Sequence, residues 1–212
     1  MDRMEGGGES ALINLANIGK YESVDELPTI AVAGFFVTIL YIIAVRIGNV
    51  GGLPLNLYFD MFGLEGILSN VALIVVIFQI ARYFYTTLYE KNERSWSPFV
   101  FVCIVVGAQI VYDLILYYGV INNLKKGQSD IFDILRAYAN EGGWHCILTD
   151  SIFMILTALA AMVLNDTSDI SKIVLLMLVV FLIPYVLSIP YKKPAPPPPP
   201  PKEETMRDAR GF

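Results

Sequence analysis

Residues 29–47 read TIAVAGFFVTILYIIAVRI, an apolar run whose single charge, Arg46, stands in its last turn. Crossing a hydrocarbon layer ~30 Å thick takes about 20 mostly apolar residues in a helix, and this run meets that requirement. Four further stretches do the same: residues 66–85 with Gln79 and Arg82, 98–120 with Gln109 and Asp113, 144–164 with His145 and Asp150 near the start, and 171–189 with Pro184 near the end. Lipid offers no partner for backbone N–H and C=O groups, so segments of this kind span as helices. The fold class that follows is all-α: a polytopic membrane helix bundle of about five transmembrane helices.

Composition points the same way. Of 212 residues 55% are hydrophobic and 17% charged, against about a quarter charged in a soluble domain, and the mean hydropathy is +0.57. This excludes a disordered chain and a disulfide-stapled mini-domain. A net charge of −5 speaks against a nucleic-acid partner. Cys103 and Cys146 lie in or beside apolar blocks without a CxxC spacing, so both are expected to be buried and inert. The organisation predicted is an acidic arm over residues 1–28, a bundle over 29–190 and a Lys/Pro-rich tail over 191–212. The arm lacks the basic start and apolar core of a cleavable signal peptide.

The span ends carry local signals. Ser97-Pro98 opens the third span with a cap residue and a first-turn proline. Trp96, Tyr117, Tyr118, Trp144 and Tyr191 fall at span ends, where amphipathic rings prefer the headgroup layer. The short polar link over residues 165–170 predicts an antiparallel hairpin of the last two spans. Gly34 with Thr38, and Thr157 with Ala161, have the spacing that lets helices approach closely. Basic residues are nearly balanced across the membrane, and Lys202, Arg207 and Arg210 tip the tail toward the cytoplasm.

Three segments lie outside the spans. Ile131, Ile134, Leu135 and Tyr138 repeat at helical spacing behind Ser129-Asp130, with Asp133, Arg136 and Asn140 on the other face. That pattern predicts a capped interfacial helix over residues 130–141, closed by Gly142-Gly143. Residues 51–63 are too apolar for a free loop and too broken by Gly and Pro for a span; they are expected to dip into the interface or to offer Leu57, Phe59 and Phe62 to a partner. Behind Lys192 and Lys193, the run Pro196, Pro197, Pro198, Pro199, Pro200, Pro201 predicts a stiff polyproline rod, read first as a spacer and second as a ligand for an aromatic groove.

Charges inside spans each need a reason. Arg46 and Arg82 lie near span ends and are expected to snorkel to the headgroups. Asp113 and Asp150 lie at similar depth on one side, and His145 lies about a turn outside Asp150. Two readings stay open. In one, the carboxylates hydrogen-bond Gln109, Tyr112, Thr149 or Ser151, or pair with an arginine, and lock the bundle; in the other, Asp113, Asp150 and His145 form a proton or cation path. No nucleophile–base pair, phosphate loop or metal-ligand cluster is legible, so no enzyme activity, cofactor or metal is expected.

The segment 130–142, reading DIFDILRAYANEG, is followed by ILTDSIFM at 147–154 and by Ile183-Pro184-Tyr185. This resembles a family of multi-pass membrane proteins encoded by nucleocytoplasmic large DNA viruses, including the chlorella viruses. The similarity covers the C-terminal part of the chain, with the N-terminal half alike only in outline. Trp144-His145-Cys146 departs from it, standing where the family has smaller residues. The resemblance implies a minor capsid or membrane protein in the bilayer beneath an icosahedral shell. Its implied partners are the lipid bilayer and other capsid or membrane proteins of the particle, with room for a homo-oligomer.

Overall fold

The computed structural model describes residues 15–92 and 94–191. The expectations for most of the acidic arm, for Lys192, Lys193 and for the proline run lie outside the described residues. Within them the chain is helix and turn without a strand: α1 (Leu27–Gly48), α2 (Gly52–Leu88), α3 (Pro98–Leu114), a π-helical continuation of α3 (Ile115–Ile121), α4 (Asp130–Gly142), α5 (Trp144–Asn165) and α6 (Asp169–Leu187). All but α4 are long and apolar enough to cross a membrane. The chain therefore forms an all-α bundle with five candidate membrane spans.

Helix α1 stands at the centre, packed against α2, α5 and α6. Its two ends feed two cores. Toward the N-terminal side, Ile30, Ala33 and Val37 pack with Phe78, Phe101, Val105, Ala158 and Met162. Toward the other side, Ile39, Ile42 and Val45 pack with Leu55, Phe59, Val179 and Ile183. The outer helices keep apolar faces outward: Phe99 on α3 is 77% exposed and Met177 on α6 is 67% exposed. In water such faces would drive aggregation, whereas lipid tails solvate them. Cys103 also lies on the exposed face of α3, so its expected burial is corrected; Cys146 is buried.

The helix ends show which local signals acted. Pro28 occupies the first turn of α1, and Asn49 in the left-handed region (φ 52°) ends that helix, its N–H bonding Ala44 O. Ser97 caps α3, its Oγ accepting from Val100 N at 3.4 Å. Ser168 caps α6 in the same way through Ser171 N at 3.3 Å. The expected Ser129 cap on α4 does not form. Asp133 instead reaches back to accept from Gly127 N at 2.6 Å, which ties the preceding turn to the helix. The small residues Gly34 and Thr38 both face α2. The Cα of Gly34 faces Ile74 and Val71 on α2, and Thr38 accepts from Asn70 of the same helix at 3.2 Å.

The largest revision concerns residues 51–63. Behind Gly51, residues 52–62 are helical and join the second span across Gly63, whose φ of 46° and ψ of −119° break the helix into limbs 52–62 and 64–88. Pro54 is tolerated because it stands in the first turn, where its missing N–H has no helical partner. The first limb is not offered outward along its whole length. Phe59 is 3% exposed and belongs to the bundle's own core, Phe62 is half-buried against Tyr58, and Leu57 alone of the three named residues is exposed.

Candidate functional site

One group of polar residues inside the bundle gathers where α3, α4 and α5 meet the first limb of α2. Gln109, 2% exposed, organises them. Its Nε2 donates to Asp113 one turn later on α3, and its Oε1 accepts from Ser151 Oγ of α5 at 3.1 Å. Asp150, adjacent to that serine, accepts from the Tyr138 hydroxyl of α4 at 3.5 Å. The bond from Gln109 to Asp113 is one that the locking reading expected; Asp150 is met instead by Tyr138, a partner that reading did not name.

Asp113 and Asp150 also face common space. A cavity of about 370 Å³ extends from α4 into the bundle past Tyr41, Asn70 and Tyr112. A neighbouring cavity of about 420 Å³, the outer lobe of the pair, lies between the π-helical turn, α4 and the start of α5. Asp113, Leu116, Leu135, Tyr138 and Asp150 line both. The π geometry contributes here: Asn122 N bonds Tyr117 O at 2.9 Å, five residues back. That wider turn is a frequent companion of functional positions. Burial, reinforced by Tyr41 and the Asp150 carboxylate, raises the Tyr138 phenol above its ordinary range, so the hydroxyl remains a proton donor. Beyond the cavity the bundle is filled by buried Phe78, Phe101, Val105, Ala158 and Met162.

His145 is not brought to this site. Its ring lies 3.8 Å from that of Trp144, its side chain is exposed, and it borders a separate shallow pocket with Glu141 and Thr149. One turn of helix separates it from Asp150 in sequence, but the start of α5 turns it outward.

Both arginines near span ends are placed differently from expectation. Arg82 does not snorkel; it is 0% exposed. It pairs with Glu26 at 2.9 Å, donates to Ser23 O at 2.7 Å and to Lys20 O, and donates to Gln79 Oε1 at 2.8 Å. Arg46, 3% exposed, pairs with Asp60 at 2.7 Å and donates to Asn56 Oδ1 at 3.3 Å and to Leu187 O at 3.4 Å. A third arginine, Arg136, bonds Asp133 at 3.1 Å, Leu124 O at 2.7 Å and Ile121 O, meeting the carbonyls left free at the end of the π-helical turn. Each guanidinium thus fastens a segment outside the spans to a helix inside them.

The acceptors Glu26 and Asp60 were missed by sequence reading. Asn56 and Asp60 stand four apart in an otherwise apolar run, a spacing that puts both on one helical face. Once residues 52–62 are read as helix, that signal is visible. Glu26 stands 56 residues from Arg82 and gives no such signal.

Fold and site together define a multi-span α-helical membrane protein with a one-sided polar cavity and arginine-fastened ends. Compared with protein-family models, with curated proteins and with solved structures, the chain matches none.

Proposed function

We propose that this chain is a structural membrane protein, and that it serves in the particle of a large DNA virus, holding capsid proteins on the internal lipid membrane. The observation that carries the structural role is the use made of three arginines, Arg46 and Arg82 buried and Arg136 partly so. Arg46, Arg82 and Arg136 are spent on internal acceptors rather than on a substrate or an ion. They stiffen the loops and the first limb of α2, so that the polar face of α4 and its neighbours form a fixed platform on one side of the bilayer. The resemblance of residues 130–185 supports the viral setting and the capsid as partner.

A proton or cation path through Asp113 and Asp150 is the competing reading, favoured by their shared cavity. The filled layer of Phe78, Phe101 and Met162 beyond that cavity favours the anchor. Particles purified after incorporation of a photo-crosslinking residue at Asn140, an exposed position on α4, test the proposal. Adducts with capsid subunits are expected. Absence of the protein from the particles, or crosslinks confined to lipid, would overturn it.

A further inference from the structure

The double-lobed cavity has a use that the anchoring role leaves unassigned. Its two carboxylates, Asp113 and Asp150, come from different helices and face the same space. Among the described residues neither forms an ion pair with a lysine or arginine. Asp150 has its hydrogen bond to Tyr138 only at 3.5 Å, the outer limit of a useful bond. A carboxylate kept ionised in a membrane interior is costly and is stabilised by a cation brought beside it. No basic side chain lines either lobe.

The walls narrow the chemistry of what would supply that charge. The inner lobe carries the aromatic rings of Tyr41, Tyr58, Tyr112 and Phe153 around the carboxylates. Ring faces attract a cation bearing hydrogens or carbon, with a strength that grows as water is excluded. A calcium ion asks for six to eight oxygen ligands, and no group of three or more ligating side chains occurs among the described residues. The outer lobe is mostly apolar, with Leu114, Ile121 and Ile147 in its wall. Its rim residues Leu114, Tyr118 and Trp144 are 42%, 64% and 66% exposed, so it opens on the outer surface that lipid would cover. Each lobe falls within the about 300–1,000 Å³ usual for a small-molecule site.

We propose that this cavity binds the primary ammonium group of an amphiphile, with the nitrogen between Asp113 and Asp150 and its apolar chain leaving through the outer lobe into the bilayer. Tyr138 accompanies the nitrogen as a neutral neighbour, and Leu135, which lines both lobes, sets the width of the passage. The head group of an aminated lipid and a free long-chain amine share this chemistry. The site goes beyond the anchoring role and stands or falls separately from it.

Trp144 supplies the readout, because it borders the outer lobe while the chain's other tryptophan, Trp96, packs with the N-terminal segment through Leu15 O. The full chain in phosphatidylcholine nanodiscs is titrated with a terminally brominated dodecylamine and, as control, with the brominated alcohol of the same length. The amine is expected to quench saturably, and Trp144→Phe to remove that component. In Asp113→Asn/Asp150→Asn the apparent affinity should fall at least about tenfold, the two charge-assisted contacts being lost. Leu135→Phe, which keeps both carboxylates but narrows the passage, should weaken binding as well, and it protects the test against a misfolded double variant. Equal quenching by the alcohol, or saturable amine binding unchanged in both the double variant and Leu135→Phe, would overturn the proposal. Phosphatidylethanolamine added to the discs separates the sources. Competition with the amine assigns the site to the lipid head group, and binding without competition assigns it to a free amine; either supports the ammonium site.

Discussion

Arg82→Ala is expected to lower the unfolding free energy of the detergent-solubilised protein by about 3–5 kcal/mol, the cost typical of removing one partner from a buried ion pair. The guanidinium is 0% exposed, and its loss strands several groups at once. Glu26, whose side chain is 14% exposed, loses its counter-charge. The carbonyls of Lys20 and Ser23 lose their donor. These three belong to the segment that packs Ile18 into the core and passes beneath Trp96, so the damage should be local first. Limited proteolysis is expected to cut within residues 15–26 at a protease level that leaves the native protein intact. Arg82→Lys keeps the charge but not the fork of donors, and should fall between the two. A thermal midpoint unchanged in Arg82→Ala would mean that the buried network is not formed. Arg46 is the weaker counterpart, because the side chain of its partner Asp60 is 38% exposed and can be rehydrated.

The second large effect is expected at Gly63. Its φ of 46° with ψ of −119° belongs to a region that side chains avoid. A Cβ there would meet nothing closer than Leu187 Cδ1 at 3.9 Å, an ordinary contact. Space is therefore not the obstacle, and the backbone is. Gly63→Val should cost about 1–3 kcal/mol or force the two limbs of α2 toward one straight helix. Straightening would withdraw Leu55 and Phe59 from the core they share with Ile42 and Ile183. Thermal unfolding reads the cost, and Gly107→Ala is the control: that glycine is helical with open space around it, so alanine should stabilise by about 0.5–1 kcal/mol. If Gly63→Val behaved as Gly107→Ala does, the kink would not be a fixed feature of the fold.

These two residues mark how far the sequence could be read. The spans were legible because an apolar window of sufficient length has one stable solution in lipid, and the predicted bounds 29–47, 98–120 and 144–164 differ from α1, the π-extended α3 and α5 by no more than two residues at any end. The amphipathic repeat of Ile131, Leu135 and Tyr138 announced α4 for a similar reason. The first limb of α2 escaped because Gly and Pro look alike in a turn and in a first helical turn; which one applies depends on Gly63 meeting a backbone conformation that tertiary packing selects. Arg82 looked like a snorkelling residue because its depth in the span is a local property, whereas its partner Glu26 arrives only when the chain before α1 folds back. Within the site, the bond from Gln109 to Asp113 was among those expected, whereas Ser151 meets Gln109 rather than a carboxylate. The outward turn of His145 was not expected, since the glycine corner at Gly143 (φ 53°) decides where the first turn of α5 faces.

Side-specific labelling tests the central claim, a five-span bundle with its two ends on opposite faces of a bilayer. Single cysteines at Ser95, Gly127, Ser168 and Met177 are placed in a chain whose Cys103 and Cys146 are replaced by alanine. They are then exposed to a membrane-impermeant thiol reagent from one side of sealed vesicles. Ser95 and Ser168 are expected to react from the same side, Gly127 only from the other, and Met177 from neither until detergent is added. Reaction of Met177 in intact vesicles, or of Gly127 and Ser168 from one side, would contradict the account.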